Sequence, residues 1–508
     1  MLLIYPPVAK PCEPPAGIAQ LAGVLRGSNF PCTLLDANLE GLFYLLETTA
    51  EPADTWGRRA YRNLESNLIK LRSPELYTHQ DRYRRAVADV NRMLDLAGQA
   101  HNISLSLANY QDTSLSPLKS DDLLKAAGQP DQNIFYPYFS KRLPKLLEQV
   151  QPRIVGFSLN YLSQALTTFA MIGFIKRTAP NVPIVLGGGL VTSWMSNPSW
   201  NNPFARLVDH LVSGPGEKAL LQLLGKKDFS GHHPPDFDGL PLEKYLAPGF
   251  ILPYAASSGC YWNKCSFCPE KSEKNPYTAL PTDQVLQDIK GLIKKTNPSL
   301  LHFLDNAISP ALLKALAENP PGVAWYGFAR VHPALADVDF CHALRKSGCV
   351  MLKLGLETGS QDVLDAMHKG INLEMVTQTL AALHKAGIAT YVYLLFGTPS
   401  ESIDQARQTL DFVERNARAI TYLNLAIFNM PICSQETATL NVSGFSEGDL
   451  SLYTDFVHPQ GWQRKNVRRF LDQEFKRNPA VATILRRDPL HFTSNHAPFF
   501  AVPGGISE

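Results

Sequence analysis

Two parallel α/β sheets in one chain, a doubly wound domain followed by a partial (β/α)6 barrel and a small C-terminal helical extension, are the architecture this sequence predicts. Three observations carry it. Six apolar runs of strand length, 251–257, 300–305, 323–330, 350–357, 388–397 and 422–430, alternate with segments of helical period. Five shorter runs do the same upstream, and two of them end in the glycine-rich turns 187–189 and 214–216. Repeated β/α units build parallel sheets whose ligand sites lie at the C-terminal ends of the strands.

Taken in order, residues 1–7 read as a buried strand, 15–26 as a helix with Ile18, Leu21, Ala22 and Leu25 on one face, and 32–38 as a second strand. Strands 153–159, 183–189 and 210–214, a helix over 164–178 and another from Glu217 complete a first domain of residues 1–225. Its interruption, about 42–150, is too long for a loop. Within it, 83–96 reads as a helix whose inner face is Val87, Val90, Met93 and Leu94. A lid over the ligand edge, a substrate-recognising element and a plain helical cap fit this insertion equally.

A linker, 226–250, leads to the barrel, 251–435, where Val285, Ile289, Leu292 and Ile293 share one helical face and Val376, Leu380, Leu383 and His384 another. In the extension, 436–508, Arg464, Lys465, Arg468, Arg469, Lys476, Arg477, Arg486 and Arg487 are diluted by Asp472, Glu474 and Asp488. This reads as a solvated helix face in preference to a nucleic-acid patch.

Composition narrows the class. The 508 residues are 45% hydrophobic and 19% charged, an ordinary globular balance, and a net charge of +2 gives no electrostatic reason to expect nucleic acid or a membrane surface as partner. No apolar run has the length of a membrane span, and the start Met1-Leu2-Leu3-Ile4-Tyr5 lacks the basic region of a signal peptide. Eight cysteines in this length do not make a disulfide framework, so a cytoplasmic protein is expected. Cys12, Cys32, Cys341 and Cys349 read as buried thiols, and Cys433 stands alone beyond the strands, too few for a metal site of its own.

The chemistry lies in Cys260, Cys265 and Cys268, three cysteines within nine residues and no fourth nearby. Structural zinc takes four protein ligands, whereas three thiolates on one loop can hold a four-iron cluster and leave one iron open. A zinc knuckle that borrows a distant ligand is the alternative. The loop resembles that of the radical SAM enzymes, with C-x4-C-x2-C in place of the usual C-x3-C-x2-C and with Phe267 in the intact Cys-x-Phe-Cys half. The resemblance implies that Cys260, Cys265 and Cys268 hold a [4Fe-4S] cluster, that S-adenosylmethionine chelates the open iron, and that one electron cleaves it to a 5'-deoxyadenosyl radical.

It implies further contacts to S-adenosylmethionine at the strand ends. Phe267 would lie near the adenine, Asp305 and Asn306 near the methionyl amino group, and Arg330 at the carboxylate. Glu357, Thr358 and Ser360, in a run similar to Gly-x-Glu-Ser-Gly, would lie near the ribose, and Gly397 and Pro399 near the adenine. Asp305-Asn306-Ala307 departs from the Gly-Gly-Glu of many members. Taken singly, each polar residue could equally be a strand-end cap or turn.

The first domain resembles the cobalamin-binding domain that precedes the barrel in one radical SAM subgroup. The matching pieces are Pro6-Pro7, Pro14-Pro15-x-Gly17, Asp36-Ala37-Asn38-Leu39-Glu40-Gly41, Gly156-Phe157-Ser158-Leu159, Val185-Leu186-Gly187-Gly188 and Ser213-Gly214-Pro215-Gly216-Glu217. The resemblance places cobalamin against Pro7, Gly17, Asp36, Asn38, Ser158, Leu159, Gly187, Gly188, Gly214, Gly216 and Glu217. Asn38 occupies the place of a cobalt-ligating histidine, and an amide is a poor ligand for a transition metal, so a histidine-free cobalamin is expected. A domain kept only for packing or docking is the other reading.

The function implied is a cobalamin-dependent radical SAM enzyme, a methylase in which the radical takes hydrogen from an unactivated carbon and methylcobalamin delivers the methyl group. A reductant such as flavodoxin or ferredoxin would be its partner. Cobalamin-assisted rearrangement or cyclisation, and a non-catalytic carrier or sensor, are the rivals. The sequence names no substrate among small molecules, lipids and peptides, and no general base.

Overall fold

The computed structural model describes residues 1–226, 231–443, 448–488 and 496–502. The described residues divide into two compact units, the first formed by Met1–Ile251 with 448–452 and the second by the rest, and the described part of the expected linker belongs to the first.

The first unit opens with β1 (Leu2–Tyr5), α1 (Ala16–Gly27) and β2 (Thr33–Asp36). The insertion holds α2 (Ala37–Thr48), α3 (Thr55–Lys70), α4 (Gln80–Gln99), a hairpin of β3 (Ile103–Leu105) and β4 (Tyr110–Asp112), α5 (Ser120–Gly128) and α6 (Tyr136–Val150). Then follow β5 (Val155–Ser158), α7 (Leu162–Thr178), β6 (Ile184–Gly187), α8 (Gly189–Met195), β7 (His210–Val212) and α9 (Glu217–Leu223). The sheet runs β2-β1-β5-β6-β7 with every pair parallel. The order reverses between β1 and β5, so the connections after these strands part and open a crevice at their C-terminal ends. A parallel sheet is covered on both faces, and Leu2, Ile4, Val155 and Ile184 are accordingly all fully buried.

The insertion is a helical layer. Val87, Val90, Met93 and Leu94 of α4 are fully buried, as their spacing predicts. Asp89 also faces inward, at 4% exposure, and it receives hydrogen bonds from Arg59 (2.6 Å), Asn67 (3.3 Å) and Trp56 (3.3 Å) of α3. A buried carboxylate needs such partners, and these bind α3 to α4.

In the second unit β8 (Ile251–Tyr254) is followed by the short antiparallel pair β9 (Ser257–Ser258) and β10 (Thr278–Ala279), which brackets the cysteine loop and α10 (Pro269–Ser272). The chain continues through α11 (Thr282–Thr296), β11 (Leu300–Ile308), α12 (Pro310–Glu318), β12 (Ala324–Ala329), α13 (Val338–Lys346), β13 (Cys349–Glu357), α14 (Gln361–Ala366), α15 (Leu373–Lys385), β14 (Ala389–Phe396), α16 (Ile403–Asn416) and β15 (Tyr422–Ile427). The sheet order is β15-β14-β13-β12-β11-β8, with the pairs from β11 to β15 parallel. Among the described residues β8 and β15 do not pair with each other, so the sheet is an open, partial barrel.

Two strand mouths differ from simple strand ends. β11 runs past Asp305 to Ile308 with a register shift after Phe303, and β13 slips between Gly355 and Glu357. Such bulges re-aim the side chains beside them. Further on, α17 (Arg464–Gln473) and α18 (Pro479–Arg487) bury Val467, Phe470, Leu471, Val481 and Ile484 and leave Arg468, Arg469 and Arg486 exposed. The basic stretch is thus the outer face of helices, and its continuation Phe492-Thr493-Ser494-Asn495 lies outside the described residues.

Candidate active site

The cysteine loop is held at both ends and in the middle. At its start Gly259 has φ +70°, and a Cβ there would lie 2.5 Å from the Pro276 carbonyl oxygen. At its end the Cys268 amide donates to the Cys265 carbonyl (3.4 Å). In the middle, the Ser266 amide donates to the Met367 carbonyl (3.0 Å) and Trp262 Nε1 to the His368 carbonyl (2.9 Å). Burial pushes the Cys268 thiol up to about 11 and raises that of Cys265, against the opposing charges of Lys369 and Arg330. Metal binding would displace these protons. Among the described residues no three potential ligands converge on one ion position, whereas in a four-iron cluster each cysteine binds its own iron.

Several expected site residues gather around Lys369, which the sequence reading did not single out. Glu357 sits in the left-handed region at φ +71° and accepts a hydrogen bond from Lys369 Nζ at 2.7 Å, with the two side chains 12% and 8% exposed. The same ammonium lies 5.5 Å from the centre of the Phe267 ring. Arg330, 9% exposed, donates to the Lys369 carbonyl (2.5 Å) and lies over the Trp262 ring at 4.3 Å. This corner of the mouth combines two cations, a carboxylate and two aromatic rings.

The remaining expected S-adenosylmethionine contacts are placed differently. Asp305, 2% exposed, accepts from the Ala256 amide (3.1 Å) and Ser257 Oγ (2.5 Å), so its carboxylate ties the end of β8 to β11, while Asn306 is exposed. Thr358 and Ser360 are turned into the unit. Thr358 Oγ1 pairs with Thr409 Oγ1 (2.9 Å), and Ser360 Oγ is buried with no hydrogen-bond partner. Gly397 and Pro399 belong to a turn organised by Glu401, a second residue not foreseen.

Glu401 is fully buried and accepts from the Gly397 amide (2.5 Å) and Trp462 Nε1 (3.0 Å). His458 Nε2 meets the Thr398 carbonyl at 2.8 Å on the same turn. Burial raises the Glu401 carboxyl from 4.5 to about 7, against these two hydrogen bonds. A carboxyl whose folded value is raised stabilises the fold fully below its unfolded value, and that contribution is lost as pH rises toward its folded value. At ~1.4 kcal/mol per pH unit, wild type should lose roughly 3 kcal/mol from this group between pH 4.5 and 7. Glu401→Gln removes the titration, so the difference between the two proteins in thermal melts at pH 5 and pH 8 should narrow or reverse. An unchanged difference would show that Glu401 does not titrate in this range.

In the first unit a cleft of about 210 Å³ opens at the crevice, lined by Gly17, Ser158, Gly187, Gly188, Gly214, Gly216 and Glu217 together with Leu3, Ile18, Leu21 and Leu220. A Cβ on Gly214 would meet nothing within 4 Å, and one on Gly17 only Ser158 Oγ at 3.6 Å, so the glycines leave room that side chains would fill. Pro7, Asp36, Asn38 and Leu159 do not line it. Asp36 caps α2 through the Leu39 amide (2.9 Å) and accepts from Tyr245 Oη (2.7 Å). Asn38 is 1% exposed, and its amide bonds both to the Ala9 N–H (2.8 Å) and to the Ala9 carbonyl (2.9 Å). An amide carries its donor and acceptor side by side and so matches the N–H and C=O of one residue, which the diverging nitrogens of an imidazole do not.

Comparison with known proteins agrees with this geometry. The radical SAM superfamily matches residues 254–413, which run from the end of β8 into α16. An uncharacterized methyltransferase of Pyrococcus horikoshii is 22% identical over 54% of this chain and 66% of its own length. The bacteriochlorophyllide d C-12(1)-methyltransferase of Chlorobaculum tepidum is 27% identical over 39% and 45%. The chain thus spans less than two thirds of either relative. Among solved structures, the radical S-adenosylmethionine methyltransferase TsrM from Kitasatospora setae, with cobalamin and a [4Fe-4S] cluster bound, has a TM-score of 0.51 at 16% identity, covering 84% of this chain and 75% of that one. The chain therefore carries a radical SAM domain over residues 254–413, in a fold shared with a methyltransferase of that superfamily.

Proposed function

We propose that this chain is a cobalamin-dependent radical SAM methyltransferase that acts on an unactivated carbon. The observation that carries the reading is the three-thiol loop at the mouth of a parallel sheet within the superfamily match. The donor set suits an iron–sulfur cluster held by Cys260, Cys265 and Cys268. The glycine-lined cleft supports cobalamin at Gly17, Ser158, Gly187, Gly188, Gly214, Gly216 and Glu217. When bound, the cluster supplies the electron that cleaves S-adenosylmethionine and the cobalamin carries the methyl group.

The protein's own residues hold and screen. Arg330 and Lys369 place positive charge beside the loop, suited to the carboxylate of S-adenosylmethionine, and Lys369 fixes Glu357 for a ribose hydroxyl. Trp262 and Phe267 give apolar walls that exclude water from radical chemistry. Glu401 holds the Gly397–Pro399 turn proposed for the adenine. A low-potential reductant such as flavodoxin or ferredoxin and a cytoplasmic setting complete the proposal.

The test is anaerobic reconstitution with strong reductant and mass-spectrometric measurement of 5'-deoxyadenosine, S-adenosylhomocysteine and bound cobalamin. Deoxyadenosine with S-adenosylhomocysteine and bound cobalamin is the expected result. Deoxyadenosine without S-adenosylhomocysteine would favour rearrangement or cyclisation. A four-iron protein that leaves S-adenosylmethionine intact, with candidate substrates present, would be a carrier or sensor.

A further inference from the structure

The first arm of the cysteine loop has four residues between Cys260 and Cys265, and the structure places the surplus. Asn263 turns through the left-handed region at φ +45°, and the neighbouring Trp262 meets the turn 367–370. Its indole N–H donates to the His368 carbonyl at 2.9 Å. Against the ring lies Gly370, with φ +66°, where a Cβ would come within 2.1 Å of the indole. The Arg330 guanidinium lies 4.3 Å from the ring centre while donating to the Lys369 carbonyl of the same turn. The Ser266 amide, just after Cys265, reaches the Met367 carbonyl at 3.0 Å. Three successive carbonyls, Met367, His368 and Lys369, are thus taken by the loop and by the arginine that covers its tryptophan.

We infer that Trp262 is a positioning residue for the cysteine loop: docked on Gly370 and covered by Arg330, it keeps Cys260 and Cys265 in register for one cluster despite the longer arm. The inference rests on the cluster reading above. It gives the indole a task that packing alone would not set, because the ring is half-buried at the loop's edge and lies outside the hydrophobic core. Cation–π contact and one hydrogen bond are each modest, but together they fix one loop conformation out of many.

The test uses the full chain, reconstituted anaerobically with iron and sulfide. Trp262→Ala should lose its cluster to a chelator at least ~10-fold faster than wild type and show an altered electron paramagnetic resonance spectrum when reduced, while apoprotein melting stays unchanged. Trp262→Phe, which keeps the ring without the N–H, should fall between. Equal cluster retention and spectra in wild type and Trp262→Ala would overturn the inference alone. A wild-type protein that takes up no four-iron cluster would overturn the cluster reading and this inference with it.

Discussion

Replacing any one of Cys260, Cys265 or Cys268 with alanine should remove the four-iron cluster and abolish cleavage of S-adenosylmethionine. Iron per chain should fall from about four to below one, and deoxyadenosine formation by at least about 10³-fold, equivalent to about 4 kcal/mol at the transition state. The fold should not follow. Cys260 and Cys268 are only half-buried, so melting of those two apoproteins should change by less than about 1 kcal/mol, whereas Cys265 is buried at 8% exposure and its alanine variant should melt somewhat lower. Cys341 and Cys349 provide the opposite control. Both are fully buried, and burial pushes the Cys341 thiol up to about 12, so alanine there should cost stability and leave iron content alone. Iron content and melting temperature across the five variants therefore separate metal ligation from packing. If the loop variants kept their iron, the three-thiol assignment would fail.

These cysteines were legible because the spacing of a metal loop is local, and the strands were legible for a related reason. A strand buried on both faces is a continuous apolar run, and all eleven expected strands form, with ends within a few residues of expectation. What sequence reading missed was long-range. Lys369, next to Gly370 after a short helix, looks like an ordinary solvated helix end, and only the fold brings it to 2.7 Å from Glu357. Glu401 reads as the start of a polar helix, yet it is buried by Trp462, 61 residues further on. Trp262 lies inside the motif, but nothing local marks the turn it docks on, which is more than a hundred residues further along the chain. The extra residue in the cysteine spacing was the available signal. For Asn38 the motif suggested a cofactor-facing residue, and only the fold shows that its amide is held by the N–H and the carbonyl of Ala9.

Gly17→Leu should abolish cobalamin retention without harming the fold. Gly17 lies in the first turn of α1 at the crevice, exposed, and a Cβ would find only Ser158 Oγ within 4 Å. Leucine is a far better helix former than glycine, so the substitution should hold or raise stability by up to ~1 kcal/mol. The side chain would nevertheless extend into a cleft of about 210 Å³ in which a flat ligand needs close backbone approach. Cobalamin affinity should weaken at least about 100-fold, or ~2.7 kcal/mol, as read by spectrophotometric titration. Iron content should remain that of wild type, and S-adenosylhomocysteine should vanish while reductive formation of deoxyadenosine persists. Gly188→Ala would be a poorer probe of the same cleft. At φ +111°, with its Cβ 2.4 Å from the Leu159 carbonyl oxygen, it would strain the backbone and confuse loss of binding with loss of fold. Because Gly17→Leu acts on space alone, undiminished cobalamin binding would place the corrin elsewhere and reduce the first unit to a scaffold.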